Sequence, residues 1–436
     1  MTAWAPNAEM AAHRSGTPAS LEQEQHLRSY LRSQEQGLPL SRLVCVTWVE
    51  PGQCDVVAMT AAINGHLNRH DTYRSRFLVT DRTCERYELP EGHLIDFRPA
   101  DRGVMSGPEI RAAIEDVPGP VEWDCFRFFV IQHQDSFTVC AAIDHLHCDG
   151  LLVAPVFGDI HNAYLGHKSP SPATSHLDFC GDQAARVSRL TMDSPEVQEW
   201  RTFVADSEGT STLVPPRYRR SAMTSVLTVH SLMDGAASRD FERECGRNGV
   251  RLIGGLLGVV GCAWNRASGA SRFRCVSPTI LRDIPDVTQS LGWETGVVPV
   301  SFATDGLTPV TAMRCAQSSF DDSRHAAWIP PAAVMRVLGQ DTDNRAGDWS
   351  IPVVSLMDYT RSPFDTIALA EWTAREGRLL LNDGVADQVL LWFVRDEEGV
   401  TLTVSAPHDR VGEDWVSTLV SQIRALCHGS WSEDAA

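Results

Sequence analysis

Ile143-Asp144-His145-Leu146-His147-Cys148-Asp149-Gly150 is the stretch on which the reading of this chain turns. On its N-terminal side two strongly apolar runs, residues 125–132 and 137–143, flank Gln134-Asp135 and predict a pair of strands. On its C-terminal side residues 151–166 predict an apolar helix closed by Gly166. The octapeptide therefore lies on a tight loop between a strand end and a helix start, where backbone N–H groups are left unpaired. Such a loop holds an imidazole rigidly, lets a substrate approach the backbone at Gly150, and offers donors to a developing oxyanion. His145 is the candidate base, able to take a proton from a hydroxyl or an amine at neutral pH. Asp149 is better placed to hold the loop than to do chemistry.

Other chemistries use the same residue types. His145, His147, Cys148 and Asp149 are all potential metal ligands, yet side chains so closely spaced on one tight loop rarely converge on a tetrahedral ion. No distant cluster completes the set, so no metal is expected. A Ser-His-Asp or Cys-His nucleophile finds no G-x-S-x-G elbow in the sequence. Nothing marks Cys148 as an activated thiolate. A structural histidine at a strand end is the plainer alternative, and the loop alone leaves it open.

Working outward, the 436 residues are 43% hydrophobic and 22% charged, as in a folded globular protein of two or three domains. Lys+Arg is 38 against 56 Asp+Glu, a formal charge of −18. So acidic a chain is a poor candidate for nucleic acid or an anionic membrane surface. The first twenty residues contain no secretory signal. The longest apolar stretch, residues 252–264, is broken by four glycines and falls short of the ~20 residues of a membrane span, which predicts a buried helix instead. The 12 cysteines are scattered without any C-x-x-C pair, and Cys45, Cys140 and Cys262 sit in apolar runs as small hydrophobes. Free thiols and a cytoplasmic location are expected.

Residues 1–17 read as a flexible arm, and KSPSPATS at 168–175 as a linker, giving an N-terminal lobe at 18–175 and a C-terminal lobe at 176–436. Helical spacing appears at 20–34 (with Ser20 as N-cap), 54–70, 237–247, 252–267, 308–326 and 415–427. Strand patterns appear at 43–49, 75–80, 225–233, 273–281, 297–302 and 351–356, with a meander expected at 379–381, 389–394 and 401–407. Strands and helices mix in both halves without regular alternation, which argues for α+β lobes with mixed sheets rather than a doubly wound fold.

His145-x-x-x-Asp149-Gly150 at a strand-to-helix junction resembles the active-site motif of the condensation-domain superfamily, whose structural archetype is chloramphenicol acetyltransferase. Arg69-His70-Asp71-Thr72-Tyr73-Arg74-Ser75-Arg76-Phe77 is similar to the segment that precedes the motif there, and Gly292-Trp293-Glu294-Thr295-Gly296-Val297-Val298-Pro299 to a later strand. The N-terminal run from Leu21 to Tyr73 most resembles the mycobacterial polyketide-associated protein (Pap) acyltransferases that esterify sulfated trehalose. The likeness spans roughly residues 20–430. It implies two chloramphenicol-acetyltransferase-like lobes in a V, with the active-site channel between them. It further implies His145 as the base, Gly150 at the tetrahedral centre, and Asp149 turned away toward an arginine, for which Arg282 is the candidate.

Two positions depart from the family's pattern. The first of the two adjacent histidines of peptide-forming members is Asp144 here, a supporting residue, and a later asparagine is Gly296. The first departure is shared by ester-forming relatives. The resemblance thus implies a stand-alone O-acyltransferase moving an acyl or polyketide chain from an acyl carrier protein or coenzyme A thioester to a hydroxyl acceptor in lipid or natural-product biosynthesis. No cofactor is expected, because the thioester carries the activation. An amide-forming enzyme and a silent partner-recruiting module are the alternatives. The basic run Arg217-Tyr218-Arg219-Arg220, unusual in so acidic a chain, offers Arg217, Arg219 and Arg220 for docking the donor, against the alternative of a solvated loop.

Overall fold

The computed structural model describes residues 1–7, 12–90, 92–167, 173–205, 223–282, 289–339, 351–361, 367–382, 384–386, 389–407 and 410–429. The chain divides into two compact α+β units, the first of 1–186 with 282–294 and 365–384, the second of 187–281, 295–364 and 385–436. The units are therefore not contiguous halves parted at 175. The helix His176–Val187 goes with the first unit, and two later segments return to it.

The first unit is built on a six-stranded antiparallel sheet. Its order is Arg378–Leu381, Leu43–Pro51, Ser136–Asp144, Phe126–Gln132, Thr2–Pro6 and Phe97–Asp101. Ser136–Asp144 is central, and its residues from Val139 onward are buried on both faces, which explains its unbroken apolar run. The expected flexible arm at 1–17 is corrected here. Thr2–Pro6 inserts between Phe126–Gln132 and Phe97–Asp101, Trp4 is fully buried, and its indole N–H donates to Thr60 Oγ1 at 2.8 Å. Five residues are too few to show a strand's period, so only Trp4 carried the signal. His13–Arg14 likewise pairs with Cys84–Glu88 in a small three-stranded sheet.

Helix Leu21–Glu35 starts at Ser20 with a capping box, the Ser20 hydroxyl accepting from Gln23 N–H and the Gln23 side chain from Ser20 N–H. Val56–Arg69 is capped by Asp55 and buries Met59, Ala62, Ile63, His66 and Leu67 at helical spacing. Val153–Tyr164 is apolar and nearly all buried, ending near Gly166 at φ 78°.

The second unit carries a seven-stranded mixed sheet, in which Val353–Asp358 runs parallel to both Arg272–Ile280 and Leu390–Arg395. The apolar glycine-rich run is the buried helix Leu252–Ser268. A Cβ at Gly258 would stand 2.5 Å from the Met313 backbone, so glycine is what lets this helix approach its neighbour Pro309–Ser323. The meander is corrected in one strand. Leu390–Arg395 and Gly399–Pro407 pair antiparallel, but Arg378–Leu381 leaves them and pairs with Leu43–Pro51 in the first unit's sheet. No helix among the described residues is long and apolar enough to cross a membrane.

Candidate active site

The site forms where the central strand of the first unit ends. Leu43 lies opposite Asp144 in the register, so the preceding Arg42 meets the turn, its carbonyl accepting His145 N–H at 2.7 Å. Asp144 caps a single 3₁₀ turn, His145–His147, by accepting Leu146 N–H at 3.0 Å. Its other contacts are His26 Nε2 at 2.7 Å and Arg42 Nη1 at 2.8 Å. Burial opposes ionisation of Asp144, but His26 and Arg42 outweigh it and hold the carboxyl below its ordinary range. Arg42 is itself fixed by the carbonyls of Val117 and Pro118.

Asp149 turns away from His145. Its Oδ2 accepts from Arg282 Nη2 at 2.9 Å and from Glu294 N–H at 3.0 Å, and its Oδ1 from Leu151 N–H at 3.0 Å. Arg282 reaches Glu294 Oε2 through Nε at 2.8 Å and the Gly292 carbonyl through Nη2 at 2.8 Å. The three side chains are nearly sealed, at 2–4% exposure, so their charges act in a low dielectric and each depends on the others. Glu294 in turn meets Ser290 and His176, whose Nδ1 is 3.2 Å from its Oε1. Burial opposes ionisation of Glu294, yet the His176 contact and the Arg282 charge hold it at about 2.

Between these two anchored aspartates His145 is held by neither. The residue is half-buried, and its Nδ1 is buried with no hydrogen-bond partner among the described residues. Trp293, half-buried, tilts against the imidazole at a centroid distance of 4.0 Å, and His26 stands at 6.4 Å. Burial pulls the His145 pKa below 6.5, and the nearby His26 lowers it further, so the ring is neutral at neutral pH. Gly150 is exposed beside the start of Val153–Tyr164. The loop can therefore present a neutral imidazole and an accessible glycine on a rigid turn.

The remaining loop residues are structural. His147 is sealed with its Nδ1 3.1 Å from Thr72 Oγ1, and burial drives its pKa down to about 3. Burial pushes the Cys148 thiol well up, so it is no nucleophile. The segment from Arg69 to Phe77 braces the turn through Thr72, and Asp71 accepts from His176 N–H at 3.0 Å and from the Ser175 hydroxyl. Gly296 stands where a Cβ would fall 2.1 Å from the Ala327 carbonyl, which leaves no room for an asparagine side chain. Arg217, Arg219 and Arg220 lie outside the described residues.

Among the described residues, His66, His70 and Asp159 place three ligand atoms within 4.8 Å of one another. Hydrogen bonds account for the group: Asp159 Oδ2 lies 3.1 Å from His66 Nδ1 and 2.8 Å from His70 Nε2. Asp159 Oδ1 takes the Arg69 guanidinium, a cation that a metal ion would have to face. His26, Arg42 and His176 come from three different segments and escaped the sequence reading, and Trp293 and Glu294 entered it only within the run 292–299. Ser20, read as the N-cap of the helix that carries His26, was the nearest signal to the others.

The whole chain resembles known proteins in sequence and in fold. Acyltransferase PapA3 of Mycobacterium tuberculosis is 31% identical over 422 residues, covering 94% of this chain and 89% of that protein. Trehalose-2-sulfate acyltransferase PapA2 of the same organism is 32% identical over 424 residues, with the same coverages. The solved structure of PapA2 acyl transferase superposes with a TM-score of 0.89 at 30% identity, covering 98% of this chain and 95% of that one. The condensation domain of the Monacolin K polyketide synthase MokA shares the fold, with a TM-score of 0.74 at 14% identity. No family model matches the sequence.

Proposed function

The chain belongs to the Pap acyltransferases, and we propose that it transfers an acyl or polyketide chain from a thioester to a hydroxyl acceptor with His145 as general base. The observation that carries this reading is half-buried His145 on its rigid turn, hydrogen-bonded to neither flanking carboxylate, with burial and His26 holding its pKa below 6.5. Such a ring can take the proton of an acceptor hydroxyl as its oxygen attacks the thioester carbonyl. The same proton then passes to the departing thiolate, so the ring ends neutral. The Gly150 backbone stands beside the forming tetrahedral centre, where a side chain would crowd it. Asp149 and Arg282 hold the turn and do not touch the reacting atoms.

The donor is a coenzyme A or carrier-protein thioester, whose activation makes a cofactor unnecessary. A trehalose-derived sugar, as PapA2 is named for, is the acceptor class this reading favours. Asp144 in place of a second histidine supports ester over amide formation. The test is a thioester donor offered to paired alcohol and amine acceptors, with products identified by mass. His145→Ala is expected to lower turnover by about 10²–10⁴-fold while the fold is retained. Full acyl transfer by that variant, or amide as the sole product of the native protein, overturns the reading.

A further inference from the structure

Behind the catalytic turn lies a second cluster that the transfer chemistry does not use. Arg86 is 2% exposed, a guanidinium almost wholly removed from water. Its partners are the Pro18 carbonyl, the Ser75 hydroxyl at 2.7 Å, Gln23 Oε1 at 2.8 Å and Cys180 Sγ at 3.1 Å. The Phe77 ring lies under the guanidinium at 5.1 Å. None of the hydrogen-bond partners found for it among the described residues is a carboxylate. A cation buried without a counter-ion is strongly destabilising, so the one partner able to carry negative charge gains importance.

That partner is Cys180, itself 1% exposed. Its sulfur lies 3.4 Å from Nε2 of His176, whose Nδ1 faces Glu294 Oε1 at 3.2 Å. Carboxylate, imidazole and thiol thus stand in the order that moves a thiol proton onto the ring. The fit around the imidazole is tight: a Cβ at Gly292 would fall 2.2 Å from His176 Nδ1. Gln23 Nε2 is 3.3 Å from the same Nε2, but it donates to the Leu146 carbonyl at 3.1 Å. The other acids near the cluster are engaged elsewhere, Glu22 with Gln183 and Asp71 with Ser175 and the His176 backbone.

We propose that Cys180 is held as a thiolate, the counter-ion of Arg86 and partner of a protonated His176, and acts as a positioning residue for the catalytic turn. The cluster grips that turn from two sides. Gln23, oriented by Arg86, bonds the Leu146 carbonyl inside it, and His176 anchors Glu294, Arg282 and so Asp149. The electrostatics agree in direction: burial opposes the thiolate, but His176 and Arg86 outweigh it.

The positioning role rests on the acyl-transfer reading above, whereas the charge state does not, so two readouts on the full-length chain separate them. The first is thiolate ultraviolet absorbance at neutral pH, native protein minus Cys180→Ser. A band worth one thiolate, lost when the native protein is unfolded at the same pH, is expected; its absence overturns the proposal. The same band, followed in native protein alone through acid titration and unfolding, decides the matter should Cys180→Ser fail to fold. The second readout is turnover. Cys180→Ser is expected to lose about tenfold in kcat with KM unchanged, the cost of one charge-assisted hydrogen bond transmitted to the turn. Cys180→Asp, which restores the charge, is expected to recover most of it. Full kcat in Cys180→Ser, or no recovery in Cys180→Asp, refutes the positioning role. Absence of any acyl transfer by native protein would refute the transfer reading alone, and the absorbance band would still decide the thiolate.

Discussion

His145 and His176 belong to the same unit and are held in opposite ways. His145 leans on one indole and leaves its Nδ1 without a partner among the described residues. His176 is sealed, with a carboxylate at one nitrogen and a sulfur at the other. Burial alone would lower both pKa values. It succeeds at His145, and at His176 the facing Cys180 and Glu294 reverse it and raise the value to about 10. The contrast separates two environments of one side chain: the His145 ring is hydrogen-bonded to neither neighbouring aspartate and burial dominates it, as the proposed proton transfer requires, whereas the anionic partners at His176 outweigh burial.

The strongest way to break this contrast is to remove what ties the anchored side together. Arg282→Leu strips the partner from both Asp149 and Glu294 and is expected to cost about 3–5 kcal/mol of stability, read as a fall in the denaturant midpoint. A midpoint equal to that of native protein would mean the network is no framework. Gly292→Ala drives a methyl against the sealed His176 ring, and a loss of about 1–3 kcal/mol is expected by the same measurement. The corresponding change on the loosely held side is milder. Trp293→Ala removes a half-buried indole, so the midpoint should stay put while kcat falls by the equivalent of about 0.5–1.5 kcal/mol, with Trp293→Phe intermediate. A drop in stability without a drop in kcat would make Trp293 a packing residue only.

The remaining test is in pH. His145, lowered below 6.5, predicts a transfer rate that is level through neutral pH and declines only as acid protonates the ring. His176 is raised, so its contribution to stability is complete below 6.5 and is lost as pH rises toward about 10. Histidine proton resonances followed through titration would distinguish the two rings. A His145 resonance that titrates above 6.5 would contradict the neutral-base argument.

The contiguous part of the site was legible in the sequence because its chemistry lies within eight residues at a strand-to-helix junction. The Ser20 cap, the buried glycine-rich helix and most strands were legible for similar local reasons. Arg282 came into view through family resemblance, since no local pattern ties residue 282 to residue 149. The anchored side was illegible. Gln23, Arg86 and Glu294 come from three separate segments and His176 and Cys180 share a fourth, and none is unusual in its own neighbourhood. Arg378–Leu381 shows the same limit in the fold: its pattern gives a strand, but its partner, over three hundred residues away, is set by topology.

Thr2–Pro6 has a bearing on how the molecule is made. Thr2 registers against Val130 on one side and Asp101 on the other, so this strand leaves the ribosome long before either neighbour exists. It must wait, with its tryptophan in water, until both arrive. A truncation that removed it would lay bare the hydrogen-bonding edges of Phe126–Gln132 and Phe97–Asp101 together, and nascent chains lacking it would be expected to stick to one another before the His145–His147 turn could form.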